Sequence, residues 1–248
     1  MPRRSVSNLS IVPGLLAGFL GAAVGKGGRR CASRILREIK VAAGRIPAMP
    51  MSEFPGIEDL RVTTRFKGGA IVACIAKATS AKRVFEFGTH LGETAMEVAE
   101  NCPEATVVTL DLPEPFANDF QAARMGSAIE VTDSHLFSAR RGSAIAGEAA
   151  ARISQIRQDS ATFDPERFSG QFDLIYVDAS HSYSAVKSDS EKAFVMVKDD
   201  GLIIWDDYSY PGVWRYLNDL ARKRPELKLR YIYDWDKVVL LPRSRSAP

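Results

Sequence analysis

The sequence predicts an α/β fold: a mostly parallel sheet covered by helices on both faces and closed by a C-terminal antiparallel hairpin. Three observations predict it. Short apolar segments alternate with helical patterns from Arg83 to Tyr208. The first of them, Arg83-Val84-Phe85-Glu86-Phe87, runs into Gly88, a loop with Gly92, and a helix start at Glu93-Thr94. The last two strand-like segments are separated only by Asp234-Trp235-Asp236. Strand–helix alternation produces a parallel sheet with both faces covered, whereas so short a connection forces antiparallel pairing.

The elements follow in order. Pro55-Gly56 marks a turn, and the spacing predicts a helix over Lys67 to Thr79. Strands are expected at Arg83–Gly88, Thr106–Leu112, Ile153–Asp159, Phe172–Asp178 and Gly201–Tyr208, with helices between them. A helix from Gly212 to Arg224 precedes the hairpin strands Leu227–Tyr233 and Lys237–Pro242. Residues 113–151 carry Gly, Ala, Ser and Arg without a strong period, and a connection of that size inside a compact domain is expected to be a functional insertion or lid. No internal repeat is present.

The 248 residues suit one α/β domain, 51–248, preceded by an arm, 1–50. The net charge of +3 conceals an asymmetry: the arm has nine Lys/Arg against the single acid Glu38, leaving 24 basic against 29 acidic residues elsewhere. An apolar run from Ile11 to Val24 imitates a signal peptide, but Pro13, Gly14, Gly18 and Gly21 interrupt it, it is shorter than the roughly 20 residues of a spanning helix, and no clean cleavage site follows. Next, Ile35, Leu36, Ile39, Ala42, Ala43 and Ile46 recur at helical spacing, with Arg34, Arg37 and Lys40 largely on other faces. Such a basic amphipathic helix suits either an anionic membrane surface or packing on protein. Cys31, Cys74 and Cys102 are too few and too scattered for a disulfide framework or a zinc site, which fits a cytoplasmic protein.

The loop Gly88-Thr89-His90-Leu91-Gly92-Glu93-Thr94 carries the chemistry. Gly88 permits a conformation that a Cβ resists, Gly92 allows close approach to a ligand, and the helix start favours hydrogen-bond acceptors. A dinucleotide G-x-G-x-x-G would need glycines where His90 and Glu93 stand, so that reading fails. In open α/β sheets ligands bind beyond the carboxyl ends of the strands. Acids stand at four such ends: Asp111 beside Leu112, Asp159 beside Ser160, Asp178, and Asp206-Asp207. Any one acid could merely cap the next helix; five at four consecutive ends are hard to explain that way.

The E-x-G-x-x-x-G segment Glu86 to Gly92 resembles the first motif of class I S-adenosylmethionine-dependent methyltransferases. Asp178-Ala179-Ser180-His181-Ser182-Tyr183, Asp206-Asp207-Tyr208 and Pro211-Gly212-Val213 resemble the small-molecule O-methyltransferases whose fourth strand ends in D-G-x-H-x-Y and whose fifth ends in H-D-Y. Ala179 replaces the commoner Gly, and Asp206 the commoner His; both bear on the substrate pocket. The resemblance spans Lys67 to Leu241 and leaves the arm outside. It implies a Rossmann-like three-layer αβα sandwich with strand order 3-2-1-4-5-7-6. It also implies a cofactor site from Glu86, Gly88, Thr89, His90, Gly92, Thr94, Asp111, Leu112, Asp159, Ser160 and Asp178. Asp111 would accept from the ribose hydroxyls, and Asp159-Ser160 would lie at the adenine edge. Through related catechol-type and sugar O-methyltransferases it implies a magnesium site of Asp178, Asp206 and Asp207, with His181 and Asp178 in catalysis. Magnesium prefers oxygen ligands and keeps water positions that a hydroxyl can fill, and His181 is an alternative base. His90 is read as a cofactor-loop contact and His135 as a candidate for substrate binding.

The expected partner is a small-molecule hydroxyl acceptor, with a homo-oligomer left open. A nucleic-acid amino-methyltransferase would carry an N-P-P-Y or D-P-P-Y segment where Asp178-Ala179-Ser180-His181 stands, and aromatic residues are sparse in the arm, so no nucleic acid is expected. A cofactor-binding partner module on the same fold, without turnover, is the other alternative.

Overall fold

The computed structural model describes residues 43–53, 67–112, 129–131, 147–232 and 235–242. The apolar run, nearly all of the amphipathic segment, the Pro55-Gly56 turn, His135 and most of 113–151 lie outside the described residues. The sheet and its helices belong to the unit Ile46–Pro248.

In chain order the elements are β1 (Ala48–Met49), α1 (Lys67–Ala78), β2 (Arg83–Phe87), α2 (Glu93–Asn101), β3 (Thr106–Asp111), β4 (Ile129–Val131), β5 (Ile153–Arg157), β6 (Phe172–Val177), α3 (Tyr183–Met196), β7 (Val197–Trp205), α4 (Pro211–Lys223), β8 (Leu229–Ile232) and β9 (Lys237–Leu240). The nine strands are ordered β1-β8-β9-β7-β6-β2-β3-β5-β4. β5, β3, β2, β6 and β7 are mutually parallel, and β9 is antiparallel to both β7 and β8. Counted without the short edge strands β1 and β4, this is the 3-2-1-4-5-7-6 sheet implied by the resemblance. β1 pairs parallel with β8, and β4 pairs antiparallel with β5.

The central strands are apolar on both faces, as a doubly covered sheet requires. Val84, Leu174, Tyr176, Leu202 and Ile204 join α1 and α2 residues such as Ile71, Ile75, Ala95 and Val98 in one core cluster. Phe85 contacts the rings of Phe87, Phe163, Phe168 and Phe172, which form an aromatic cluster of their own. α3 covers this region with Val186, Ala193 and Met196 buried.

Two expectations are corrected. Between β5 and β6 stand two 3-10 turns, Ser160–Thr162 and Pro165–Phe168, in place of a helix. Asp159 and Asp164 each close a turn through the side chain, Pro165 follows at once, and the span is too short for an α-helix to cross the sheet. β7 begins at Val197 and ends at Trp205, because its polar first residues, Lys198, Asp199 and Asp200, hide its start and the chain bends after Trp205.

Candidate functional site

The glycine loop leaves β2 at the carboxyl end of the sheet. Gly88 lies at φ 92°, and a Cβ there would sit 2.4 Å from the Asp178 carbonyl oxygen, so no side chain fits between the ends of β2 and β6. The Gly88 amide donates to Leu110 O at 2.8 Å and the Asp178 amide to Phe87 O at 2.9 Å, extending the parallel pairing by one residue on each side. Thr89 is buried and its hydroxyl donates to Thr109 Oγ1 at 2.8 Å. His90, at φ 48°, is exposed, and its backbone N–H donates to Asp111 Oδ2 at 3.0 Å. Asp111 Oδ1 accepts from Leu112 N at 2.9 Å. Asp111 thus fastens the glycine loop to β3. Gly92, at φ 80°, immediately precedes α2, whose first residues are Glu93 and Thr94.

Glu86 lies beneath this loop, 3 % exposed. Burial first, then the charges of Asp178 and Asp111, push its carboxyl well above the usual range, opposed by a hydrogen bond from Thr94. Its Oε2 is buried without a partner. An orphaned acceptor under a turn too tight for a Cβ fits a ligand that brings hydrogen-bond donors close to the backbone. Asp159 Oδ1 accepts from Ala161 N at 2.9 Å, so local turn closure already employs one of its oxygens.

Asp178, His181 and Asp207 meet at the same end of the sheet, each half-buried, with one candidate ligand atom apiece, all within 4.8 Å of one another. His181 Nε2 lies 2.8 Å from Asp207 Oδ2 and 4.0 Å from Asp178 Oδ1. The imidazole stacks on Tyr210 at 4.5 Å between centroids. A Cβ on Gly212 would stand 2.2 Å from the His181 carbonyl oxygen, so the start of α4 packs directly on the His181 turn. Burial and the Asp206 charge raise the Asp178 carboxyl to about 7 against the pull of Lys237 and Tyr176, with Asp207 adding to the rise. Burial and Asp206 also raise Asp207, while His181 pulls it down.

Residues 85–208 match the model of a family described as a methyltransferase domain. The chain belongs to this methyltransferase family. Family and fold together make it a class I S-adenosylmethionine-dependent enzyme. Cofactor-bound Rv0187 from MTB is similar to the methyltransferase with a TM-score of 0.50 and 19% identity, covering 94% of this chain and 98% of that one. The O-methyltransferase TomG from Streptomyces achromogenes, in complex with SAM, gives 0.48 and 17% over 77% of this chain and 89% of its own. SAH-bound PaMTH1 from Podospora anserina gives 0.47 and 16% over 89% and 98%. Comparison with curated proteins finds no significant match.

In the methyltransferase Asp206 does not join Asp178 and Asp207, contrary to the metal set expected from the sequence. Its Oδ1 lies 2.6 Å from Lys237 Nζ and accepts from Asp207 N at 2.7 Å, while its Oδ2 accepts from the Tyr176 hydroxyl. His181 takes the third place in the cluster. Sequence reasoning missed Lys237, Tyr176 and Tyr210. The signal for Lys237 is the register of the final hairpin, because Trp205 opposite Val238 sets Asp206 opposite Lys237.

Proposed function

We propose that this methyltransferase methylates a hydroxyl of a small-molecule acceptor, with His181 as the general base and Asp207 as the group that orients it. The 2.8 Å approach of Asp207 Oδ2 to His181 Nε2, a close ion-pair contact without hydrogen-bond alignment, carries the reading, with the partly exposed imidazole as proton acceptor. Glu86, Gly88, Thr89, His90, Gly92, Thr94, Asp111, Leu112, Asp159, Ser160 and the Asp178 backbone would hold S-adenosylmethionine, which supplies an electrophilic sulfonium methyl. The orphaned Glu86 oxygen beneath the glycine loop supports that fit. Asp178, whose Oδ1 stands 4.0 Å from His181 Nε2, would be the second acidic group beside the imidazole. Alignment of acceptor and methyl does the rest.

The Asp178–His181–Asp207 cluster favours a second reading, a divalent cation held by two carboxylates and an imidazole. Such an ion, magnesium included, would lower the pKa of an acceptor hydroxyl. The donor set fits a divalent cation, though with a nitrogen in place of the third carboxylate oxygen.

The two readings part in one experiment that follows S-adenosylhomocysteine formation over a panel of hydroxyl acceptors. With His181 as base, His181→Gln cuts the rate by roughly 10²–10⁴-fold and activity persists in chelator. With a cation as activator, chelation abolishes turnover while cofactor binding survives. Full activity in chelator together with an active His181→Gln enzyme overturns both.

The arm, by its charge and amphipathic pattern, would bring a cytoplasmic enzyme to anionic membrane surfaces. Among the described residues no helix is long and apolar enough to cross a membrane. Removal of residues 1–47 is expected to lower binding to phosphatidylserine vesicles and to leave the cofactor-induced thermal shift unchanged. Equal vesicle binding with and without the arm refutes this role.

A further inference from the structure

Lys237 is a buried cation without a role in the reading above. It opens β9 at the carboxyl end of the sheet and is 2 % exposed. An ammonium in such a place is stable only if it is paired and hydrogen-bonded. Its Nζ lies 2.6 Å from Asp206 Oδ1 and donates to the Tyr176 hydroxyl at 3.0 Å. Tyr176, 1 % exposed, in turn donates to Asp206 Oδ2, closing a three-membered network.

The network continues into the backbone of the next residue. Asp206 Oδ1 accepts from the Asp207 amide at 2.7 Å. Asp207 lies at φ 51°, in the left-handed region, which a residue with a Cβ keeps only where its surroundings hold it there. From that conformation its carboxylate reaches His181. A second contact fixes the far side of the same turn, where the Tyr210 amide donates to Asp207 O at 2.8 Å.

We propose that Lys237, Tyr176 and Asp206 form an internal brace that holds Asp207 in its left-handed conformation against His181. Asp206 and Lys237 are thereby positioning residues, acting through Asp207 and touching neither substrate nor cofactor. The inference builds on the His181–Asp207 pair as the proposed catalytic unit. It accounts for two adjacent acids with different fates: one is committed to the protein and the other is presented to the site. It also accounts for a lysine at a position that the hairpin alone would fill with an apolar side chain. Lys237 gives Asp206 a fixed countercharge beside the neighbouring carboxylates of Asp178 and Asp207.

The test is amide exchange and imidazole NMR on the full chain, with Lys237→Met and the double variant Asp206→Ala/Lys237→Met. The double variant leaves no lone buried charge, so it decides the matter if Lys237→Met fails to fold. The brace requires the Asp207 amide to exchange at least ten-fold faster in each folded variant, while the amides of Tyr176 and Ile203 in the paired strands keep their protection. It also requires the His181 ring resonances to move in both. Unchanged His181 resonances in the double variant overturn the proposal. So does an equal acceleration of all sheet amides, which would mark Lys237 as a general staple of the hairpin. Turnover of His181→Gln tests the catalytic reading separately and leaves the exchange result standing.

Discussion

The two ends of the same strands treat their carboxylates in opposite ways. At the amino end, Asp173 of β6 accepts from the amides of Lys82 and Arg83 at 3.0 and 2.8 Å and pairs with Lys198 at 2.6 Å. Burial works against its ionised form, but Lys198 and the two amides prevail and hold its pKa below the usual value. At the carboxyl end, Glu86, Asp178 and Asp207 are all pushed upward, by burial before anything else and then by neighbouring acids, Asp178 and Asp111 for Glu86 and Asp206 for the other two. One end ties β2, β6 and β7 together; the other gathers several acids close to one another and leaves Glu86 Oε2 buried without a partner. Perturbation of that kind marks groups arranged for a ligand and a reaction.

The contrast can be broken at either end. The largest effect is expected in catalysis, from His181→Gln as described, with little change in stability because the ring is half-buried and its loop is held by the backbone. Next comes Asp111→Ala. Removing acceptor oxygens from the cofactor side should weaken S-adenosylmethionine binding ten-fold or more, each lost charge-assisted hydrogen bond being worth roughly 1.5–3 kcal/mol. Unchanged calorimetric affinity in a folded variant would refute its place in the cofactor site.

Asp173→Ala should do the reverse, lowering stability by about 1.5–3 kcal/mol at neutral pH and leaving cofactor affinity alone. The folded pKa of Asp173 is depressed, so its contribution is present above the ordinary value of 3.8 and is lost as pH falls through the lower folded value. Denaturant midpoints of wild type and variant should therefore converge in acid. A constant gap across pH would show that the ionised carboxylate is not the source.

The smallest effect is expected at Asp189, 1 % exposed on α3, with neither carboxylate oxygen in a good hydrogen bond. Burial raises it to about 6 against weaker pulls from Ser160 and Lys192. For an acid raised in the folded state, stability falls as pH climbs from the unfolded value toward the folded one, and the full penalty applies above about 6. Asp189→Asn should raise Tm by about 2–4 °C at pH 7.5, near 1 kcal/mol, and by much less at pH 4. A lower Tm at pH 7.5 would mean that the carboxylate is needed by the Ser160 turn.

Much of the sheet was legible because main-chain periodicity carries it. The apolar runs of β2, β3, β5, β6 and β7 are read directly, and the acids that follow them fall at one edge by the geometry of parallel pairing. The Glu86–Gly92 spacing was legible for the same reason, since only glycine meets the constraints at Gly88. What escaped the sequence depended on contacts across long separations. Asp206 and Asp207 look equivalent as neighbours, and only the left-handed turn at Asp207 together with a lysine from the last strand separates their roles. The aromatic lid of His181 by Tyr210 depends likewise on how closely α4 approaches at Gly212.

The antiparallel hairpin has a consequence for the order in which the protein is made. A chain emerging from the ribosome presents β2 through β7 before β9, so Asp206 and Asp207 are synthesised well before the lysine that neutralises the first of them. Until β9 docks between β7 and β8, three neighbouring acids share one end of the sheet with no buried cation beside Asp206. The Asp206–Lys237 ion pair is therefore completed last, and a chain interrupted before Lys237 would carry the glycine loop and Asp207 yet lack the buried cation beside Asp206.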